Sequence, residues 1–403
     1  MGTGYLQIGR VLAVAGIVGI ASSAASAADS IKVGFLSTLS GPGAALGADI
    51  RDGFQLAVKH AGGKLGDLDT TVIVADDHQD PTTGRQAVDR LLKRDHVDVM
   101  TGMVFSNVLL PVMPSILGSD TVYISTNTGP AKYAGAECNK NFFVVSWENE
   151  DIPAAMGQYV SEHQKDGSVF LIAPDYPGGR ESIGGFKRLY KGKIAAEVYT
   201  KLGQLDYSAE LAQARASGAN SVFFFLPGGM GVSFIKQFDS SGLNQTMKLY
   251  MPGFSGDQDT IVAVGQPMKG SFNSAQWGPD FRNPQNERFV ADFQKEYGRI
   301  PTLYASQGYD AAMLIDGAAR DVKGNIKDKA AFRTALAAAN FKSVRGNFKF
   351  NVNHYPIQDY YLREIVTDTG DAAINKTGLV NKTAMTILKD YHDPFAHECR
   401  MEM

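Results

Sequence analysis

Short apolar runs alternate with amphipathic helical stretches in this chain, and the alternation begins twice. No other feature constrains the fold as much. Ile31-Lys-Val-Gly-Phe-Leu36 is a short apolar run ending in Ser37-Thr-Leu-Ser-Gly-Pro-Gly43, a buried strand leading into a turn. Ile50, Phe54, Ala57 and Val58 then share one helical face. Residues 71–75 read as a second strand, and Asp80-Pro81 opens a helix, with Asp as cap and Pro in the first turn. Residues 97–103 read as a third strand, 109–117 as a helix and 122–125 as a fourth strand. The pattern then restarts. Strands are expected at 168–173, 193–199 and 221–226, and helices at 181–189, 208–216 and 232–238. Two successive runs of strand–helix units predict two parallel sheets with helices on both faces. Right-handed crossovers make each lobe doubly wound.

Between the runs lies Asn141-Phe-Phe-Val-Val-Ser-Trp147, followed by the acidic cap Glu148-Asn-Glu-Asp151. It reads as the first crossover between lobes. Residues 270–277 should return the chain to the first lobe, where helices are expected at 286–297 and 305–319. Residues 346–361 are strand-like and should cross a third time. The expected fold class is therefore α/β, with two doubly wound parallel-sheet lobes joined by a three-strand hinge. The expected division is a signal segment over 1–27, lobe I over 28–147 plus 277–353, and lobe II over 148–276 plus 354–403. A chain of 403 residues suits two domains of ordinary size.

Arg10 precedes the apolar run 11–21, and Ala25-Ser-Ala27 follows it. This is the charged, apolar and small-residue order of a secretory signal, with cleavage after Ala27. The run is too short to span a bilayer, which needs roughly 20 residues. No other stretch is long enough, so the mature chain is expected to be soluble. Export would place Cys138 and Cys399 in an oxidising compartment. Either they pair, closing a loop worth roughly 5 kcal/mol in the chain-entropy model, or they stay as two buried thiols. The net charge of −3 does not point to nucleic acid or an anionic membrane.

Ligands of open α/β sheets sit outside the carboxyl ends of the strands. The loops there are 37–47, 104–107, 125–129, 174–180, 227–231 and 252–256, and the two lobes' sets would face each other across a cleft. Gly41, Gly43 and Gly47 superficially resemble a dinucleotide fingerprint, with Asp76 and Asp77 where a ribose-binding acid would sit. The spacing is G-x-G-x-x-x-G, and the turn begins several residues past the strand's apolar core. No cofactor is expected, and the loop reads as a flexible wall of the cleft. Ser106 and Ser125-Thr-Asn-Thr-Gly129 follow strands. Their hydroxyls and backbone N–H groups suit a carboxylate, or serve as helix caps. Phe105, Trp147, Tyr176, Phe254 and Trp277 fall in loops, as stacking surfaces for a flat ligand or as core and hinge packing. The seven histidines lack metal spacing, and the two cysteines are isolated from any His-rich cluster, so no metal site is expected. No nucleophile elbow or Walker loop is present, so no catalytic residue is assigned.

The segment from Ile31 to Gly43, together with Tyr297-Gly-Arg-Ile-Pro301 and Tyr309-Asp-Ala-Ala312, resembles the leucine/isoleucine/valine-binding-protein family. These are periplasmic receptors of ABC importers with the type I two-lobed fold. The resemblance is collinear over essentially the whole mature chain. Ala173-Pro-Asp-Tyr-Pro-Gly-Gly179, Gly185-Phe-Lys-Arg188, Lys201-Leu-Gly-Gln-Leu-Asp206 and Leu226-Pro-Gly-Gly-Met-Gly231 are similar to the branch that binds aromatic carboxylates such as benzoates and hydroxycinnamates. The ending His392-Asp-Pro-Phe-Ala-His-Glu-Cys399 resembles that branch's tail, which implies pairing of Cys399 with Cys138. In the amino-acid binders a serine after the third strand holds the ligand carboxylate, and Ser106 matches it. Backbone after the fourth strand assists, matching Asn127, Thr128 and Gly129. An acid late in the second lobe holds the ligand ammonium, but the matching stretch Met251-Pro-Gly-Phe254 has none, and Asp257 is shifted. Leu46 matches the family's aromatic residue in the first loop. These departures imply a ligand with a carboxylate and no ammonium, because an unpaired buried acid is costly.

The resulting expectation is a periplasmic substrate-binding protein, not an enzyme, that hands a small carboxylate to the membrane permease subunits of an ABC importer. It would act as a monomer, with no nucleic-acid partner. Ser106 and the backbone of Asn127, Thr128 and Gly129 would hold the carboxylate. Phe105, Trp147, Tyr176 and Phe254 would pack the remainder, and Gly228 and Gly229 would allow close approach. A branched-chain amino-acid receptor would instead place Asp257 or Asp175 beside Ser106. A secreted NAD-dependent dehydrogenase would use the glycine loop and a titratable cleft residue. A sensory domain would share the fold.

Overall fold

The computed structural model describes residues 1–4, 30–164 and 166–401. The signal segment, Arg10 to Ala27, lies outside the described residues. The first run of elements is β1 (Ser30–Ser37), α1 (Ala44–His60), β2 (Lys64–Leu65), β3 (Leu68–Asp76), α2 (Pro81–Lys93), β4 (Val99–Thr101), α3 (Ser106–Gly118), β5 (Val122–Ser125), α4 (Ala131–Ala134) and β6 (Phe142–Val144). Its six strands form one sheet in the order β2-β3-β1-β4-β5-β6, parallel except where β2 pairs with β3. Val33, Gly34, Phe35 and Leu36, successive residues of β1 that face both sides of the sheet, are buried, as helices on both faces require.

The second run is α5 (Asp151–His163), β7 (Ser168–Pro174), α6 (Pro177–Leu189), β8 (Lys193–Thr200), α7 (Ser208–Ala216), β9 (Ser221–Phe224), α8 (Gly229–Ser240), β10 (Lys248–Pro252), α9 (Gly253–Gly256), α10 (Gln258–Val264) and β11 (Phe272–Ala275). The chain then returns through α11 (Pro284–Tyr297), α12 (Leu303–Asp321) and α13 (Lys329–Ala338). It ends with β12 (Lys349–Phe350), β13 (Pro356–Thr367) and β14 (Leu379–Tyr391). The second sheet runs β12-β13-β11-β10-β9-β7-β8, with β14 on β13.

The expected α/β class with two lobes holds. One difference concerns the second sheet, which is mixed. β13 runs antiparallel to β11, and β14 antiparallel to β13. This long hairpin leaves β14 with one free edge. Lys382 and Met385 are exposed along it, whereas Leu379 and Asn381 are buried. A half-solvated antiparallel edge carries polar residues that a doubly covered parallel strand does not. The third expected strand is shorter than the sequence suggests (Val99–Thr101), because Gly102 turns the chain at φ 106°.

Helices α1 and α12 cross at backbone contact. A Cβ at Gly53 would lie 1.9 Å from the Ala305 carbonyl oxygen, and one at Gly308 would lie 2.0 Å from that of Ile50. Only glycine permits this approach. One apolar cluster runs from the first lobe through the rings of the cleft into the second lobe. A separate cluster around Phe170, Phe224 and Phe234 fills the far side of the second sheet.

The first and third crossings between lobes meet at a buried ion pair. Arg345 donates to Asp310 of α12 from Nε (3.2 Å) and Nη2 (3.1 Å). It also binds the carbonyls of Val145 and Ser146 on the first crossing and Gln358 Oε1 on the third (2.7 Å). On the second crossing, Trp277 is buried and its Nε1 donates to Asn286 Oδ1 (2.8 Å).

Cys138 and Cys399 form a disulfide at a separation of 261 residues. Beside it, Asn353 Nδ2 donates to the Ala134 carbonyl (2.7 Å) and to Asp393 (3.0 Å), holding the C-terminal tail. Reduction, or replacement of both cysteines by serine, is expected to lower unfolding free energy by up to about 5 kcal/mol, since the closed loop is long. An unchanged melting temperature under reducing conditions would contradict this.

Candidate ligand-binding site

The carboxyl ends of β4 and β5 place two loops side by side in the first lobe. Phe105 adopts an extended backbone (φ −110°, ψ 137°) and caps α3 without a side-chain hydrogen bond. The first N–H groups of α3 thus remain available to an anion, with the helix dipole behind them. Asn127 Nδ2 donates to the Val104 carbonyl and ties the two loops together. Ser125 Oγ donates to the Thr128 carbonyl (2.6 Å) and fixes the second loop. Ser106 Oγ and Thr128 Oγ1 are hydrogen-bonded to each other and buried.

Asn149, on the first crossing, organises this corner. Its Nδ2 lies 3.3 Å from both Ser106 Oγ and Thr128 Oγ1, and 2.5 Å from Glu181 Oε2. Its Oδ1 accepts the Gly129 N–H (2.8 Å). Glu181 reaches in from α6, and its Oε1 accepts the Ala131 N–H (3.2 Å). Burial pushes the Glu181 carboxyl up to about 7, against the lowering effect of those two hydrogen bonds.

Opposite the polar corner stands a wall of rings. Phe105 faces Tyr176 (centroids 6.2 Å), Tyr176 stacks on Phe225 (6.3 Å), Phe225 meets Phe254 edge-on (5.5 Å), and Phe254 contacts Trp147 (4.4 Å). Tyr304 of α12 closes one side, and its hydroxyl donates to the Phe254 carbonyl (3.2 Å). Leu46 of α1 closes another side. The space left between corner and rings is small, ≈ 30 Å³.

Seven of the ten residues expected at the site line this cavity: Phe105, Ser106, Asn127, Thr128, Trp147, Tyr176 and Phe254. Gly129, Gly228 and Gly229 do not. The Gly129 N–H is taken by Asn149, and a Cβ there would lie 2.0 Å from the Trp147 carbonyl oxygen. The glycine lets the hinge pass, and its N–H is engaged within the protein. Gly228 has φ 64°, and a Cβ there would meet the Pro42 carbonyl oxygen at 2.8 Å, while the Gly229 N–H donates to that same oxygen (3.1 Å). The two glycines latch the second lobe to the loop around Gly41 and Gly43. Asp257 is buried outside the cavity, accepting from the Leu303 N–H (2.6 Å) and Asn381 (3.3 Å). Asp175 is exposed and paired with Arg180 (2.7 Å). Among the described residues no His, Cys, Asp and Glu cluster could hold a metal, and no helix is long and apolar enough to cross a membrane.

The sequence profile of the periplasmic binding protein family matches residues 30–371. This chain belongs to that family. This periplasmic binding protein is similar to the Leu/Ile/Val-binding protein homolog 6 of Brucella melitensis, 25% identical over 373 residues, or 89% of this chain and 93% of the relative. A solved ABC-transporter solute-binding protein from R. palustris, in complex with benzoate, matches it with a TM-score of 0.85 and 28% identity, covering 92% of this chain and 99% of that one. A second, from Rhodopseudomonas palustris BisB5 in complex with 3,4-dihydroxy benzoic acid, has a TM-score of 0.81 at 23% identity, covering 91% and 99%, and speaks for the fold alone. The family and both neighbours are binding proteins rather than enzymes.

In this periplasmic binding protein three lining residues go unread from sequence. Phe225 follows a core strand, Tyr304 lies in the first turn of a buried helix, and Asn149 sits within an acidic stretch that reads as a cap. Two lie in or next to core elements and one at a crossover, so no local pattern marks them as lining residues.

Proposed function

We propose that this protein is the exported receptor of an ABC importer and captures an aromatic carboxylate between its lobes, which divide at 147/148, 276/277 and 353/354. The observation that carries the reading is the pairing of an anion corner with a wall of rings, in a cavity that no acid lines. Ser106 and Thr128 hydroxyls, the Asn149 amide and the open N-terminus of α3 would hold the carboxylate. Phe105, Tyr176, Phe225, Phe254 and Trp147 would sandwich the ring. The benzoate complex of the R. palustris relative supports this ligand class. An α-amino acid finds no acid in the cavity lining for its ammonium: Asp257 and Asp175 are committed elsewhere, and Glu181 stands behind Asn149. The glycine loop contacts the other lobe at Pro42, which argues against a dinucleotide there. Lobe closure buries the ligand and forms the surface presented to the permease, a hinge transition. The protein would act in the periplasm as a monomer, without catalysis.

The test is a thermal-shift screen of mature protein against benzoates, cinnamates, aliphatic acids, amino acids and NAD. Benzoate at a hundredfold excess over its Kd should stabilise the protein by about 2.7 kcal/mol. Ser106→Ala should remove that shift and leave the unliganded melting temperature near that of the wild type. A shift with leucine or valine and none with benzoates would overturn the ligand class.

A further inference from the structure

We propose that carboxylate capture by this protein takes up a proton, held on Glu181, so that affinity rises as pH falls. The inference rests on the proposed function and concerns the regulation of the same site. Glu181 lies one side chain behind the anion corner. One Asn149 hydrogen is donated to Glu181, at 2.5 Å, and the other is shared between Ser106 and Thr128, at 3.3 Å each. Glu181 also joins the lobes, since it belongs to α6 of the second lobe and accepts from Ala131 of the first (3.2 Å).

The groups around it offer no compensating charge. From the first crossing come Glu148 and Glu150, from its own helix end Tyr176, and from the third crossing Tyr355; each is an acid or a phenol. The nearby cations are engaged. Arg188, on the same helix, lies 2.8 Å from Glu150 and Asp151 and 3.9 Å from Glu148. Lys132, next to Ala131, pairs with Glu137 (2.9 Å), and Arg180 pairs with Asp175 (2.7 Å). Bringing a second carboxylate to Ser106 and Thr128 places like charges on either side of one amide. Like charge and added desolvation both favour the protonated acid.

The sign follows from linkage. The Glu181 carboxyl already sits at about 7 without ligand, and a bound anion raises it further. The complex then holds more protons than the free protein above about pH 7, and affinity gains up to tenfold per unit of falling pH there. Below about pH 7 the profile flattens, because Glu181 is protonated in both states. Benzoate itself stays ionised throughout, as ordinary carboxyls titrate near 4.

The experiment is calorimetric titration of the mature protein with benzoate at about pH 8, in phosphate and in Tris, whose ionisation heats differ. The expected result is a buffer-dependent heat equivalent to between half and one proton taken up per ligand. In Glu181→Gln, which keeps an oxygen for one of the two donors, Asn149 or Ala131, benzoate should still bind, the buffer dependence should vanish and the pH profile should flatten. Benzoate heat that is equal in both buffers in the wild type, or a linkage that persists in Glu181→Gln, overturns this inference alone. No benzoate binding in either buffer sinks the proposed function and this inference with it.

Discussion

Arg345→Met is expected to lower the unfolding free energy by about 3–5 kcal/mol, as when one partner of a buried ion pair is removed. Asp310 is fully buried, and among the described residues Arg345 is the only cation paired with it. Without Arg345, the Asp310 carboxylate keeps only the Ser343 hydroxyl (2.6 Å) and the Val344 N–H (3.0 Å). The carbonyls of Val145 and Ser146, and Gln358, lose their donor as well. Burial already raises the Asp310 carboxyl despite Arg345, and losing the guanidinium raises it further. The folded variant then binds more protons than its unfolded chain, so its stability falls as pH rises, and part of the loss returns on acidification. The double variant Asp310→Leu, Arg345→Met should recover part of the cost, since a buried pair is replaced by apolar volume. Urea unfolding followed by tryptophan fluorescence checks both, because Trp277 lies in the hinge. A single variant within about 0.5 kcal/mol of the wild type would mean that Arg345 does not hold the crossings together.

Asn149→Leu is expected to weaken benzoate binding about a hundredfold, which corresponds to about 2.7 kcal/mol. The substitution keeps the number and branching of side-chain heavy atoms. It removes the amide shared by Ser106 and Thr128, and strands the Gly129 N–H and a Glu181 oxygen. Each buried group left unpaired costs about 1–3 kcal/mol, so melting should fall as well. Asn149→Asp separates the two effects. It retains an acceptor for the Gly129 N–H but sets a negative charge against an incoming carboxylate, so its binding loss should exceed that of the leucine variant. Calorimetry with benzoate measures both, and affinities within about threefold of the wild type would remove Asn149 from the site.

The fold is legible in sequence where local pattern and packing agree. The strand Val122–Ser125 and the helix Ser208–Ala216 match their expected bounds, because each is a short segment with clear flanking turns. Helix α13 goes unassigned, although Asp328 caps it in the usual way by accepting the Ala331 N–H (3.0 Å). Its run of alanines carries little hydrophobic contrast. The β13–β14 hairpin also escapes, because its alternation is interrupted by register shifts along the pair. At the site, Ser106 and Thr128 are visible from sequence because loops at the carboxyl ends of strands are where ligands bind. Asn149 and Glu181 are not. Their roles depend on a hinge segment and a second-lobe helix meeting over one loop, which no local pattern encodes. Gly228 and Gly229 are visible as glycines, but their use is not, since Pro42 comes from the other lobe.

The Cys138–Cys399 bond joins the loop between α4 and β6 of the first lobe to the segment that follows β14 of the second. Counted as a linkage in the mechanical sense, the lobes share four ties: three runs of backbone and one sulfur strut. The strut closes a kinematic loop with the crossing at Asn353, which is fastened to both Ala134 and Asp393. Two bodies held in this way cannot move in any direction that would draw the two sulfurs apart. Oxidised, the molecule carries a fourth covalent tie between its lobes, and cleavage of a single bond would loosen the joint without altering a residue that lines the cavity.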